Sequence, residues 1–263
     1  MKRPRAIAVA QTIPVRGDVD ANVAQHLRLV TIAAEEHAQV LVFPELSLTG
    51  YELGLACALA FSKHDARLAQ LAEAARSHSM TLIAGAPVRA GALLHIGAFI
   101  ISPDGAIDLY TKHHLGAFSE SASCDGIVPP AEATVFHAGT ENPLVRINGS
   151  IAAVAVCADT GRAAHAQAAA ARGVRAYLAS MFVISSELER ETSRLSAYAR
   201  RHAMVVAFAN YGGPSGGLAS GGRSAIWADN GELIAQLDTS GTGVAVAVES
   251  DNGWRGATVM LDP

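Results

Sequence analysis

Apolar residues fall in short continuous runs, separated by longer stretches in which they recur every three or four positions. That pattern predicts strands alternating with helices. Residues 5–12 (RAIAVAQT) form a buried-strand candidate. Asp18 or Asp20 can cap a helix running to residue 37, with Val23, Leu27, Val30 and Ala34 on one face. A short apolar strand at 40–43 stops at Pro44. Residues 65–77 return to helical spacing through Leu68, Leu71, Ala72 and Ala75, and 81–86 is the next strand. This strand–helix–strand–helix–strand order predicts right-handed crossovers and at least partly parallel pairing.

Further along, hairpins replace crossovers. Pro103-Asp104-Gly105 separates runs 92–102 and 107–110. Asn148-Gly149 separates 145–147 from 151–156, and Asp229-Asn230-Gly231 separates 224–228 from 232–236. Asn, Asp and Gly accept the backbone angles that tight turns require. Helices at 163–171 and 186–202, strands at 176–179 and 204–209, and a last strand at 242–248 bring the expectation to about ten to twelve strands and four helices. No linker interrupts the pattern, so residues 1–263 read as one domain. Strands this apolar need cover on both faces, which predicts two sheets facing each other with helices outside.

Composition narrows the class. Half of the 263 residues are hydrophobic, 17% are charged, mean hydropathy is +0.25 and net charge is −4. Such a chain has a large core and is not disordered. No block of five or more Lys or Arg occurs, which argues against a nucleic-acid or anionic-membrane partner. No run reaches 18 apolar residues, so no span is expected, and the apolar stretch at 6–10 is shorter than the core of a signal peptide. Three cysteines (Cys57, Cys124 and Cys157) make no disulfide framework, and the odd count leaves a thiol free, which suits the cytoplasm. Ten histidines contain no His-Glu-x-x-His pair, so no metal is expected. The Gly-rich stretch 212–222 runs into a near miss of a phosphate-binding loop. An Arg stands in place of the required Lys and a strand follows instead of a helix, so it reads as a loop.

Three residues could carry chemistry. Cys157 ends an apolar run and precedes a helix, where nearby N–H groups can lower a thiol pKa and bind an oxyanion; a buried inert cysteine is the other reading. Glu45 follows a strand directly, at the carboxyl edge where α/β sites form, or is a loop acid. Lys112 follows another strand, as a fixed charge over a substrate or as a solvated strand-end lysine.

Together they point to a family. Val42-Phe43-Pro44-Glu45-Leu46-Ser47-Leu48-Thr49-Gly50-Tyr51 resembles the glutamate motif of the nitrilase superfamily of carbon–nitrogen hydrolases. Tyr110-Thr111-Lys112-His113-His114-Leu115 is similar to its lysine motif, and Ala155-Val156-Cys157-Ala158-Asp159 to its cysteine motif. The order and the separations of 67 and 45 residues also match, as do Asn210 and the 224–231 hairpin, so the resemblance covers nearly the whole chain. It departs after the nucleophile, where Ala158 stands in place of the frequent aromatic and Gly161-Arg162-Ala163 in place of Phe-Pro-Glu.

The resemblance implies a four-layer αββα sandwich, paired as a homodimer or higher homo-oligomer, and a thiol mechanism with neither metal nor organic cofactor. Glu45 would be general base, Cys157 the nucleophile and Lys112 the oxyanion partner, with the Ala158 N–H beside it. A second active-site glutamate would be Glu132 or Glu120, and the spacing to Phe136-His137-Ala138-Gly139 favours Glu132. Tyr51, His114, Met181 and Phe182 are candidate substrate walls, Arg162 and Arg194 candidate partners of a substrate carboxylate, and Cys57 and Cys124 spectators. The implied substrate is a small linear amide of the ω-amide or N-carbamoyl type, cleaved with release of ammonia. Nitrile hydrolysis, acyl transfer, a catalytically silent regulatory homologue and a Cys157 redox sensor are the competing readings.

Overall fold

The computed structural model describes residues 6–123 and 126–261; Arg5 and Cys124 lie outside them. One sheet has seven strands: β1 (Ala6–Gln11), β2 (Val40–Val42), β3 (Thr81–Ala90), β4 (Leu93–Ile101), β5 (Ile107–Thr111), β12 (Gly243–Ser250) and β13 (Gly253–Met260), in the order β13-β12-β1-β2-β3-β4-β5. The other has six: β6 (Leu144–Ile147), β7 (Ser150–Val156), β8 (Ala176–Ser180), β9 (Val205–Ala209), β10 (Ala225–Trp227) and β11 (Leu233–Gln236), in the order β11-β10-β9-β8-β7-β6. Helices α1 (Val19–Glu35) and α3 (Ala69–Ser77) lie against the first sheet, and α4 (Ala163–Ala171) and α5 (Leu188–His202) against the second; α2 (Ala56–Leu59) is a single turn.

The alternation of side chains along the strands dictates this layering. In β1, Ile7 and Val9 point toward the second sheet, while Ala8 and Ala10 meet α1. In β7, Val154 and Val156 face the first sheet and Ala153 and Ala155 face the outer helices. In β8, Leu178 goes inward and Tyr177 outward. Alanines on the outward faces let the helices approach closely, and three apolar layers result, one between the sheets and one under each helical layer. This is the αββα sandwich.

The expected crossovers and hairpins form. β1–β2–β3 and β7–β8–β9 pair in parallel, and β3–β4–β5 and β6–β7 are antiparallel. Asp18 is the cap of α1, accepting from Ala21 N at 3.0 Å. One strand exceeds the expectation: β13 pairs with β12 along its whole length, so 242–248 is not the last strand. Its sequence, GWRGATVM, is half-exposed to exposed and carries two glycines, so it lacks the apolar run or clean alternation that reveals a buried strand.

The connectivity sends three chain ends to one edge. β5 runs parallel to β3 because two antiparallel steps separate them, so β2 and β5 end on the same side. Glu45 N donates to Met181 O (3.3 Å), joining the end of β2 to the segment after β8. The turn after β2 is anchored from behind. Buried His26 donates through Nδ1 to Asn22 O (2.7 Å) and accepts from Ser47 Oγ at Nε2 (2.9 Å). Burial pushes its pKa down to about 4, so the ring is neutral in this chain of bonds. Leu46 takes φ +53°, and Gly85 passes directly beneath. A Cβ on Gly85 would sit 2.4 Å from Leu46 N and 3.0 Å from Pro44 O.

Gly85→Ala should therefore lower stability by about 1–3 kcal/mol or more and displace the turn that carries Glu45. Urea unfolding read against the wild type checks this, and an unchanged midpoint would show that the close approach is not a constraint.

Candidate active site

Glu45, Lys112 and Cys157 each stand one to three residues beyond a strand, and the shared edge brings them together. Lys112 Nζ, fully buried, donates to Glu45 Oε1 and to Glu132 Oε1, both at 2.7 Å. Glu132 Oε1 also accepts from Tyr51 OH (2.8 Å), and its Oε2 accepts from Gly116 N (2.7 Å). Glu132 N in turn donates to Gly116 O (3.0 Å), so this residue fastens the segment after Lys112 by backbone and side chain together. Glu120 lies in an exposed turn and is the surface acid of the two.

Glu45 differs from Glu132 in having a spare oxygen. Its Oε2 is buried with no hydrogen-bond partner among the described residues. Tyr211 OH donates to its backbone carbonyl and fixes the turn. Burial raises the Glu45 carboxyl most strongly, Lys112 pulls it back and Glu132 pushes it up again, leaving it at about 7. Burial would discharge Lys112, but the two carboxylates outweigh it and hold the ammonium charged well above its ordinary range.

Cys157 opens a tight turn at the end of β7 with φ +42°, an uncommon backbone state for a non-glycine residue. Its Sγ lies 3.6 Å from Phe182 O. Burial, then Glu45, push the thiol pKa well up, and Lys112 only partly offsets them. The resting group is a thiol, so attack requires a base at the moment of reaction rather than a standing thiolate. Ala158 follows in the first turn, where N–H groups lack partners within the helix.

Asp159 holds these segments in register. Its Oδ1 accepts from the His113 and His114 backbone N–H groups (3.2 and 2.8 Å) and from His114 Nδ1 (2.9 Å). Its Oδ2 accepts from Val156 N (3.1 Å) and Tyr110 OH (2.7 Å). One buried carboxylate thus ties the lysine segment to the nucleophile turn. Asn210 does the same for the far wall: it exchanges bonds with Val183 N and O (2.9 and 3.0 Å) and donates to Gly222 O (2.9 Å). Both residues stand in the quoted motifs, but apart from Val156 their bonding partners lie a dozen or more residues away and carry no local signal.

A cavity of about 280 Å³ opens onto Cys157. Tyr51, His114, Ala158, Met181 and Phe182 line it, as expected. Phe118 joins Tyr51 and Phe182 in an aromatic wall, with ring centroids 5.0 to 5.7 Å apart. The outer wall, from Arg162 and the first turns of α5, includes Glu187, Arg190, Glu191 and Arg194. Arg162 and Arg194 had only their charge to recommend them, and the three α5 neighbours had no signal in the sequence. The Gly-rich segment stands outside this lining and supports Tyr51 from behind, with Ser215 Oγ accepting from Tyr51 N (2.8 Å). Cys57 is exposed on the surface.

A thiol, a high-pKa carboxyl and a fixed ammonium meet at one sheet edge, a set suited to hydrolysis of C–N bonds through sulfur. Comparison with known proteins agrees. Residues 6–250 match the carbon-nitrogen hydrolase family, and the chain belongs to it. It superposes on the amidase from Nesterenkonia sp. AN1, in a variant showing covalent addition of the acetamide moiety of fluoroacetamide at the active site cysteine. The TM-score is 0.82 at 25% identity, covering 95% of this chain and 92% of that one. Another variant of that amidase, in complex with butyramide, gives 0.80 at 25% identity over 93% of this chain and 90% of that one. The arylacetonitrilase of Aspergillus niger is 31% identical over 115 residues, 38% of this chain and 34% of that protein, so the chain spans about a third of that relative's length. The protein is an enzyme of the amidase and nitrilase type.

Two outcomes follow from the electrostatics. Removing the cation in Lys112→Met leaves two buried carboxylates facing each other, so stability should fall by about 3–5 kcal/mol at pH 8 and by less at pH 5, where they can protonate. Chemical denaturation at both pH values checks this; equal losses would deny the coupling. Glu45 has a folded pKa above the 4.5 of the free group, so the folded state holds the proton more tightly. Its contribution to stability is present below 4.5 and is lost as pH rises through about 7. Activity that needs the ionised base should move the other way, with kcat/KM climbing through an acid limb near 7. A flat profile from pH 5 to 8 would remove Glu45 from that role.

Proposed function

We propose that the protein hydrolyses a small linear amide, of the ω-amide or N-carbamoyl type, through a covalent Cys157 acyl-enzyme, releasing ammonia. The observation that carries this reading is the buried Lys112 held at 2.7 Å by both Glu45 and Glu132 beside a protonated thiol. The Nesterenkonia amidase, with butyramide bound in one variant and an acetamide moiety on cysteine in another, supports the amide side. The partial match to an arylacetonitrilase supports a nitrile reading over a shorter stretch.

In the proposed cycle Glu45 takes the Sγ proton as sulfur attacks the amide carbon. The carbonyl oxygen becomes an oxyanion facing the Lys112 ammonium and the Ala158 N–H, each such donor being worth about 3 kcal/mol of barrier. Glu45 returns the proton to the departing nitrogen, the C–N bond breaks, and ammonia leaves a thioester. Water then enters, gives a proton to Glu45 and adds to the thioester carbon. The C–S bond breaks, sulfur recovers the proton and the acid departs. One carboxyl near neutrality serves both directions of transfer. Glu132 and Tyr51 keep Lys112 in place without exchanging protons with substrate.

Intact-mass spectrometry on an amide panel should show an acyl adduct on the wild-type protein that is absent in Cys157→Ala, together with loss of ammonia release. Glu45→Gln should keep the fold and lose about 10²–10⁴-fold in turnover. Equal ammonia release by Cys157→Ala and wild type would defeat the proposal.

A further inference from the structure

The Asp159 clamp is itself held from behind. Tyr110 of β5 donates through its hydroxyl to Asp159 Oδ2 (2.7 Å), and the same hydroxyl lies 2.9 Å from His165 Nε2. His165 Nδ1 lies 2.8 Å from the hydroxyl of Tyr177, on the outward face of β8. Tyr110 and Tyr177 are fully buried and His165, in the first turn of α4, is nearly so. None of the three lines the cavity. The row joins a strand of the first sheet, the nucleophile turn, a helix and a strand of the second sheet, apart from any bound substrate.

The hydrogens of the row have forced positions. Five donors converge on Asp159, so its oxygens only accept. The Tyr110 hydrogen is taken by Asp159, so His165 Nε2 must carry a hydrogen and donate to the Tyr110 oxygen. In a neutral ring Nδ1 is then bare and accepts from Tyr177 OH. Each hydrogen points toward Asp159. A proton added at Nδ1 breaks this order: Tyr177 OH then faces a donor, and its own hydrogen must turn into the apolar layer under α4 and α5. Burial weighs most against that proton; Asp159 draws it on, and His113 and His114, with ring centroids 5.6 and 6.4 Å away, oppose it. The balance holds the His165 pKa below its ordinary value, while burial and Asp159 keep both tyrosines neutral.

We propose that His165 is a positioning residue for Cys157: its neutral ring, set between Tyr110 and Tyr177, holds Asp159 and with it the nucleophile turn, and its protonation breaks that hold. Cys157 and Asp159 share one tight turn, in which Cys157 keeps an uncommon φ of +42°, so a shift of the carboxylate is passed directly to the sulfur. The effect on turnover rests on the amide-hydrolase reading; the effect on the thiol itself does not.

The experiment measures the rate at which iodoacetamide alkylates Cys157, read by peptide mass spectrometry, from pH 5 to 8 in wild type, His165→Gln, His165→Phe and Tyr177→Phe. Glutamine offers an N–H and a carbonyl in place of the two ring nitrogens and takes up no proton. At pH 8 His165→Gln should stay within about threefold of wild type and His165→Phe should be roughly ten- to a hundredfold slower, as a nucleophile displaced by up to about 1 Å would be. Below pH 6.5 the wild-type rate should fall more steeply than the single proton on Glu45 demands. His165→Gln should follow the single-proton line, and Tyr177→Phe, which removes the donor to Nδ1, should begin its steep fall at higher pH. A merely structural role would lower the urea midpoint and leave the shape of the profile unchanged. Wild-type rates in His165→Phe, or a wild-type profile in His165→Gln, overturn the inference; if His165→Phe does not fold, His165→Gln and Tyr177→Phe decide it. Ammonia release from butyramide should track the thiol rates across the variants. Thiol rates as expected with no ammonia from any amide would remove the hydrolase reading and keep the positioning role.

Discussion

Lys112 is a cation with no access to water, and the site is arranged around that fact. Burying an ammonium costs several kcal/mol unless its protons are matched, and a matched pair in a low-dielectric interior is strongly constrained in geometry. Glu132 meets the constraint as a structural acceptor: both its oxygens are occupied, by Lys112, Tyr51 and Gly116 N. Glu45 meets it with one oxygen, and the other has no hydrogen-bond partner within ordinary distance among the described residues. Burial first, and then the neighbouring Glu132, raise the Glu45 pKa to about 7 against the pull of Lys112. Burial, and then Glu45, also push the Cys157 thiol pKa well up. Glu45, Lys112 and Cys157 are thus one electrostatic unit.

The fold sets that unit up by geometry. Glu45 and Lys112 belong to one sheet, Cys157 to the other, and the strands that deliver them end at a common edge. Strand ends alone would leave angstroms of slack, which a proton transfer does not tolerate. Asp159 removes it by binding backbone N–H groups on both sides of the junction, and Asn210 and Tyr211 remove it on the sides of Phe182 and Glu45. Gly85 and the neutral His26 secure the turn beneath Glu45. The outer wall of the cavity is built by Arg162 and α5.

Much of this was legible from the chain. Alternation such as Ile7 and Val9 against Ala8 and Ala10 predicts a sheet covered on both faces, and each hairpin announced its turn residues. Glu45, Lys112 and Cys157 were found because each adjoins a strong strand signal and sits inside a motif. The edge strand β13 was not, because its half-exposed, glycine-containing sequence has no reason to alternate. The choice between Glu132 and Glu120 hung on spacing, since both are loop acids beside apolar segments; burial alone separates them.

By itself the sequence determined which residues must be buried and in which order strands and helices follow, because these are properties of neighbours along the chain, and its resemblance to a family singled out Glu45, Lys112 and Cys157 as candidates. Tertiary structure alone decided which acid pairs with Lys112, that Asp159 and Asn210 are clamps, and that Arg162 lines the cavity with no ion pair among the described residues while Arg194, lining it too, is paired with Glu191. Those facts depend on pairings such as Tyr51 with Glu132 or Tyr198 with Thr160. They arise only when two sheets close on each other, and local pattern holds no trace of a partner dozens of residues away.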